Sequence, residues 1–172
     1  MTGYVALLRA VNVGGTGKLP MAELRAMAEE AGFARVRTYI ASGNLVFESD
    51  LAETAVKAAL EAALKAYAGK PVGVVVRTAP EMADVVATNP YPDAPANRTV
   101  AIFLDAPPPS SFLTAVTGRG SEEIAPGRRE IYVYFPDGQG ASKLKIPAAA
   151  KGTARNLNTI ATLAAYAASL TP

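Results

Sequence analysis

Apolar and polar positions alternate along this chain in blocks that predict a regular succession of strands and helices. Tyr4 to Val11 is an apolar run interrupted by Arg9 and followed by the glycine-rich stretch Asn12-Val13-Gly14-Gly15-Thr16-Gly17-Lys18, which predicts a buried strand with Arg9 near its functional end. Met21, Leu24, Ala28 and Ala31 then recur at helical spacing, with Pro20 at the start and Gly32 as the stop. Val36 to Ala41 and Leu45 to Glu48 predict two strands joined through Ser42-Gly43-Asn44. Asp50 with Glu53 resembles a capping box, and Val56, Leu60, Leu64 and Tyr67 mark a helical face that ends at Gly69. Val72 to Arg77 supplies one more strand, giving the order β-α-β-β-α-β, the ferredoxin-like pattern.

The remainder repeats this order imperfectly. Thr78 and Glu81 offer a second capping box for a short helix ending at Asn89-Pro90, and a proline-rich connector runs to Asn97. A strand is predicted over Thr99 to Asp105, then a helix entered through Pro107-Pro108-Pro109-Ser110, and a hairpin with a type II turn at Ala125-Pro126-Gly127-Arg128. Ile131, Val133 and Phe135 alternate with Tyr132 and Tyr134, and Ile160, Leu163, Ala167 and Leu170 mark a long final helix. The expectation is an α+β protein of duplicated ferredoxin-like (βαββαβ) halves with a C-terminal helix. The first half covers residues 1–78 and the second residues 79–172, with a shared or adjoining core.

Composition narrows the chemistry. The 172 residues are half hydrophobic, and the net charge of +2 is too small for a whole-molecule field that drives binding to nucleic acid or an anionic membrane. From Pro126 onward, however, Arg128, Arg129, Lys143, Lys145, Lys151 and Arg155 face only Glu130 and Asp137, so an anion preference is expected in the C-terminal third. The absence of cysteine removes disulfides, thiol nucleophiles and thiolate metal sites. The absence of histidine removes the Ser-His-Asp triad and histidine-rich zinc sites. No stretch reads as a signal peptide or membrane span, so a cytoplasmic address with no membrane partner is expected.

Four motifs carry a family resemblance: Arg9-Ala10-Val11-Asn12-Val13-Gly14-Gly15, Tyr39-Ile40-Ala41-Ser42-Gly43-Asn44-Leu45-Val46-Phe47, Tyr134-Phe135-Pro136-Asp137-Gly138 and Thr153-Ala154-Arg155-Asn156-Leu157-Asn158-Thr159. Together they resemble the signatures of the bacterial domain-of-unknown-function 1697 family, over nearly the whole chain. The resemblance implies a duplicated ferredoxin-like fold and no established activity. The chain departs from the family at Leu157, where tryptophan is frequent, and over Ser142 to Gly152, where a helix is shortened and broken by Pro147.

The candidate chemistry is anion binding. Gly14 to Lys18 superficially resembles a P-loop, but Asn12 stands where that loop needs glycine and Leu19 where it needs Ser or Thr, so the magnesium ligand is missing and no nucleotide cofactor is implied. What remains is a permissive strand-to-helix loop, read either as structure alone or as an anion nest. Asn12, Ser42 and Asn44 are expected to cluster around Arg9 if the turn and the glycine loop share one end of the sheet; the alternative is that Ser42 and Asn44 only satisfy their turn. Arg155, Asn156 and Asn158 lie at or just before the start of the last helix, where an arginine fork and unpaired N–H groups favour anions, although Thr153, Asn156 or Asn158 can simply be its N-cap and Arg155 can instead form a structural salt bridge to Asp137.

Ser142 beside Lys143 makes a poor nucleophile–base pair, since adjacent side chains seldom meet, and Glu122-Glu123 reads as solvated surface. The first reading is therefore a binding module for a phosphate-bearing small molecule or a nucleic-acid phosphate, held by Gly14, Gly15, Arg9, Lys18, Lys143 and Arg155. The alternatives are a structural or protein-interaction role, with a homodimer as one form of it, and an enzyme using carboxylate, lysine or tyrosine chemistry.

Overall fold

The computed structural model describes residues 1–9, 19–40 and 43–170 of the chain. It is a mixed α+β structure with two four-stranded antiparallel sheets. The chain forms two compact units, one from residues 1–83 with the chain end from 162, the other from residues 84–161.

In the first unit, β1 (Thr2–Leu8), β2 (Ala34–Thr38), β3 (Asn44–Ser49) and β4 (Val74–Thr78) lie in the order β2-β3-β1-β4. Strand β1 is apolar at successive positions because both of its faces are buried. Tyr4, Ala6 and Leu8 pack with Leu24 and Ala28 of α1 (Met21–Glu30) and with Val56, Leu60 and Leu64 of α2 (Glu53–Ala68). On the opposite face, a Cβ on Gly3 would lie 3.3 Å from the carbonyl of Ala167 and 3.8 Å from Leu170, both in the last turns of α4 (Leu157–Leu170). A glycine there lets the helix approach the sheet closely.

The helix signals act locally. Helix α1 ends in a Schellman motif, with Gly32 N–H donating to Glu29 and Phe33 N–H to Ala28 while Gly32 takes φ +92°. Gly69 closes α2 at φ +73°. Thr78 and Glu81 form the expected reciprocal capping box ahead of α3 (Ala79–Ala87): Thr78 N–H donates to Glu81 Oε1 at 2.8 Å, and Glu81 N–H to Thr78 Oγ1 at 3.3 Å. The box expected from Asp50 and Glu53 does not form. The N-cap of α2 is Ala52, without a side-chain cap, and Asp50 instead pairs with the N-terminal ammonium at 3.5 Å.

The second unit holds β5 (Thr99–Phe103), β6 (Glu123–Pro126), β7 (Glu130–Tyr134) and β8 (Thr153–Asn156) in the order β6-β7-β5-β8, the same permutation as the first sheet. Two expectations fail here. The helix predicted after Pro107-Pro108-Pro109 is a short 3-10 turn, Phe112–Ala115, because consecutive prolines withhold donors and the following Thr114, Val116 and Thr117 favour extended backbone. The β6–β7 hairpin does not reverse at Ala125–Arg128. Gly127 N–H donates to the Glu130 carbonyl at 2.7 Å, and Gly127 lacks the positive φ that a type II turn requires, so the chain reverses at Arg128-Arg129.

One face of this sheet, with Val100, Ile131 and Val133, is therefore covered by Phe112 and by Leu144, Ile146, Ala148 and Ala149 from irregular segments. On the other face Tyr132 is 1% exposed and donates its hydroxyl proton to the Val85 carbonyl of α3 at 2.7 Å. That contact packs Tyr132 against a helix.

Candidate functional site at the Arg9 end of the first sheet

Arg9 follows the last residue of β1 and emerges between two neighbouring strand ends. On one side β1 pairs with β3 in the register Leu7↔Asn44, and Leu8 N–H donates to the Gly43 carbonyl at 2.9 Å. On the other side β1 pairs with β4 in the register Leu8↔Val74, and Arg9 N–H donates to the Gly73 carbonyl at 2.9 Å. Arg9, Gly43 and Asn44 therefore share one end of the sheet. Asn12, Gly14, Gly15, Lys18 and Ser42 lie outside the described residues.

The Arg9 side chain crosses Gly73, where a Cβ would stand 3.0 Å from its Cδ and 3.7 Å from Nη1. Asn44 is fully buried, and its Nδ2 donates to the Tyr39 carbonyl at 2.9 Å while Tyr39 N–H returns a bond to the Asn44 carbonyl at 3.1 Å. These bonds close the β2–β3 turn. Ile40 within that turn takes φ +49° and is 49% exposed. A β-branched residue seldom holds this conformation unless its surroundings impose it.

Beside Gly73 a cleft of about 320 Å³ opens between the C-terminal half of α2 and the segment Pro71–Gly73, lined by Glu61, Ala62, Lys65, Pro71, Val72 and Gly73. Its carboxylate is already engaged. Glu61 Oε2 accepts from Lys57 Nζ at 3.0 Å and from Val74 N–H at 3.1 Å, and Lys57 also donates to the Val74 carbonyl at 2.6 Å. These bonds anchor α2 to the start of β4.

The remaining candidates belong to the second unit. Arg155 lies on β8, is 8% exposed, and donates through Nη1 to Thr153 Oγ1 at 2.6 Å and to the Ala154 carbonyl at 2.9 Å. Burial lowers its pKa to about 10, so the guanidinium stays charged at neutral pH. Asn156 is the N-cap of α4, its Oδ1 accepting from Thr159 N–H at 2.9 Å, and Asn158 is exposed in the first turn. Lys143 lines a separate cleft of about 230 Å³ with Glu122, Asp137 and Ser142.

Glu122 contradicts its reading as solvated surface: it is 8% exposed, whereas Glu123 is exposed. Its Oε2 accepts from Ser142 Oγ and its Oε1 from Gly120 N–H, both at 2.5 Å. The Ser142 hydroxyl is the main cause, ahead of backbone N–H groups and Arg119, that holds the Glu122 carboxyl below its ordinary pKa. Ser142 therefore serves the glutamate, not Lys143, and its Oγ also accepts from Leu144 N–H at 3.1 Å. The sequence signal for this arrangement is Gly118-Arg119-Gly120, whose glycines let the backbone close around the carboxylate.

Among the described residues no group of three or more acidic side chains could hold a metal ion, and no helix is long and apolar enough to cross a membrane.

Residues 1–132 match the family model described as protein of unknown function DUF1697. The fold is similar to that of the conserved bacterial protein SP0830 from Streptococcus pneumoniae, with a TM-score of 0.77 at 21% identity, covering 96% of this chain and 98% of that one. No curated protein matches the chain.

Proposed function

The chain belongs to the DUF1697 family of proteins of unknown function, and we propose that it is a binding module for a phosphate-bearing small molecule, anchored by Arg9. The observation that carries this reading is the emergence of Arg9 between Gly43 and Gly73, at the sheet end from which the glycine-rich segment continues in sequence. Gly73, without a side chain, lets the Arg9 side chain lie across its backbone, and the planar fork of the guanidinium suits phosphate. The same reading takes Asn12, Gly14, Gly15, Lys18 and Ser42 as the rest of the anion's surroundings. Lys143, Arg155 and Asn158 are the second half's own candidates for anion contact. The common order of the two sheets supports descent of both halves, residues 1–78 and 79–172, from one ferredoxin-like plan.

The test is calorimetric titration of the protein with inorganic phosphate, sugar phosphates, nucleotides and a short oligonucleotide. At least one should bind, and Arg9→Ala should weaken it about 10- to 100-fold, the effect of removing a charge-assisted hydrogen bond. Binding by an oligonucleotide alone would move the reading to a nucleic-acid phosphate. No binding by the native protein, or undiminished binding by Arg9→Ala, would overturn it.

A further inference from the structure

The cleft beside Gly73 bears on which phosphate compound is bound, a question that rests on Arg9 being the anion anchor. Ala62, Pro71 and Val72 give the cleft an apolar surface, and about 320 Å³ is enough for a single ring or a short acyl chain. Its polar residues are asymmetric. Glu61 is neutralised in place by Lys57 and bonded to the Val74 N–H, so it presents no unopposed negative charge. Lys65, in the last turn of α2, is exposed at the lining, and the Arg9 side chain lies against Gly73, the lining residue nearest to it in the fold. An apolar trough with Lys65 on its lining and Arg9 beside its Gly73 suits a molecule whose anionic group is attached directly to an apolar group.

We propose that this cleft is the subsite for the apolar portion of the ligand, and that the protein prefers aromatic or acyl phosphates over inorganic phosphate and over phosphates of bare polyols. The Arg9 guanidinium holds the phosphate. The ring or chain lies along Ala62, Pro71 and Val72, and Lys65 complements any second negative charge at the outer margin. Gly73 belongs to both parts, since it lines the cleft and any side chain there would press on Arg9.

The experiment compares dissociation constants of phenyl phosphate and inorganic phosphate for the native protein, Arg9→Ala and Ala62→Phe. Ala62 is an exposed residue of α2, so phenylalanine there fills the trough without entering the core. The native protein should bind phenyl phosphate about tenfold tighter than inorganic phosphate, the gain expected from burying part of one ring. Ala62→Phe should bring that ratio close to one, and Arg9→Ala should weaken both ligands. Equal affinities in the native protein, or an unchanged ratio in Ala62→Phe, would overturn the subsite while leaving Arg9 as an anion anchor. Failure of the native protein to bind either ligand would overturn both.

Discussion

Ser142 donates its hydroxyl proton to Glu122 Oε2 across 2.5 Å, joining two segments 20 residues apart in sequence. Because this bond lowers the Glu122 pKa from its ordinary value of 4.5, folding is favoured by the ionised carboxylate. The stabilisation is therefore fully present above that ordinary value and is lost as the pH falls through the lower folded value. Ser142→Ala should reduce the urea midpoint near neutral pH and have a smaller effect near pH 3, where Glu122 is largely protonated in the unfolded chain. Identical losses at both pH values would show that the hydroxyl acts through packing alone.

Gly118 holds the same cleft together by close backbone approach. It takes φ +69°, and a Cβ there would stand 2.0 Å from the Lys143 carbonyl oxygen. The flanking Thr117 and Lys145 exchange backbone bonds at 3.0 and 2.8 Å, so the Lys143 carbonyl cannot retreat without breaking that bridge. Gly118→Ala should destabilise the protein by about 2–4 kcal/mol, the combined cost of a left-handed alanine and a backbone clash. Chemical denaturation measures it, and a loss below about 0.5 kcal/mol, the range of an ordinary surface substitution, would show that the two segments separate readily.

Sequence reading succeeded where one local rule determines an element and failed where burial depends on distant partners. The apolar blocks of β1, β3 and β4, the glycine stops at Gly32 and Gly69 and the Thr78–Glu81 box each act within a few residues, and each is visible in the chain. The cover of the second sheet is different: Phe112, Leu144, Ile146, Ala148 and Ala149 come from segments without periodicity, so no pattern announces them. Glu122 reads as solvated because adjacent carboxylates such as Glu122-Glu123 diverge in space, whereas its bonds from Ser142 and Gly120 depend on how the loops fold together. In the candidate site the shared location of Arg9 and the Gly43 turn depended on strand order. That order could not be read from either motif alone.

Asn156 tests how much of the fourth motif is structural. Its Oδ1 accepts the Thr159 N–H at 2.9 Å, satisfying one of the unpaired donors at the start of α4. Asn156→Ala should cost about 1 kcal/mol, and Asn156→Ser or Asn156→Asp should recover most of it, because those side chains also cap. Thermal denaturation of the three variants separates this role from any ligand contact. If serine and aspartate were as damaging as alanine, the asparagine would be serving through its Nδ2 group instead.

Tyr132 joins the second sheet to α3 through a hydroxyl group that a phenylalanine would lack. The Val85 carbonyl is among the last four of α3, which have no partner within the helix, and it accepts the Tyr132 hydroxyl proton at 2.7 Å; Thr88 Oγ1 lies 3.2 Å from the same hydroxyl oxygen. Tyr132→Phe should cost about 1–2 kcal/mol near neutral pH, since it leaves a buried carbonyl without this donor. Burial also raises the Tyr132 pKa above its ordinary 10.0. Above that pH the unfolded chain releases the phenolic proton while the folded protein retains it, so native stability declines as the pH rises through this range. The cost of Tyr132→Phe should therefore shrink between about pH 8 and about pH 10.5, on either side of the ordinary tyrosine value. Urea midpoints that fall in parallel for the two proteins would show that Tyr132 ionises as readily when folded as when unfolded.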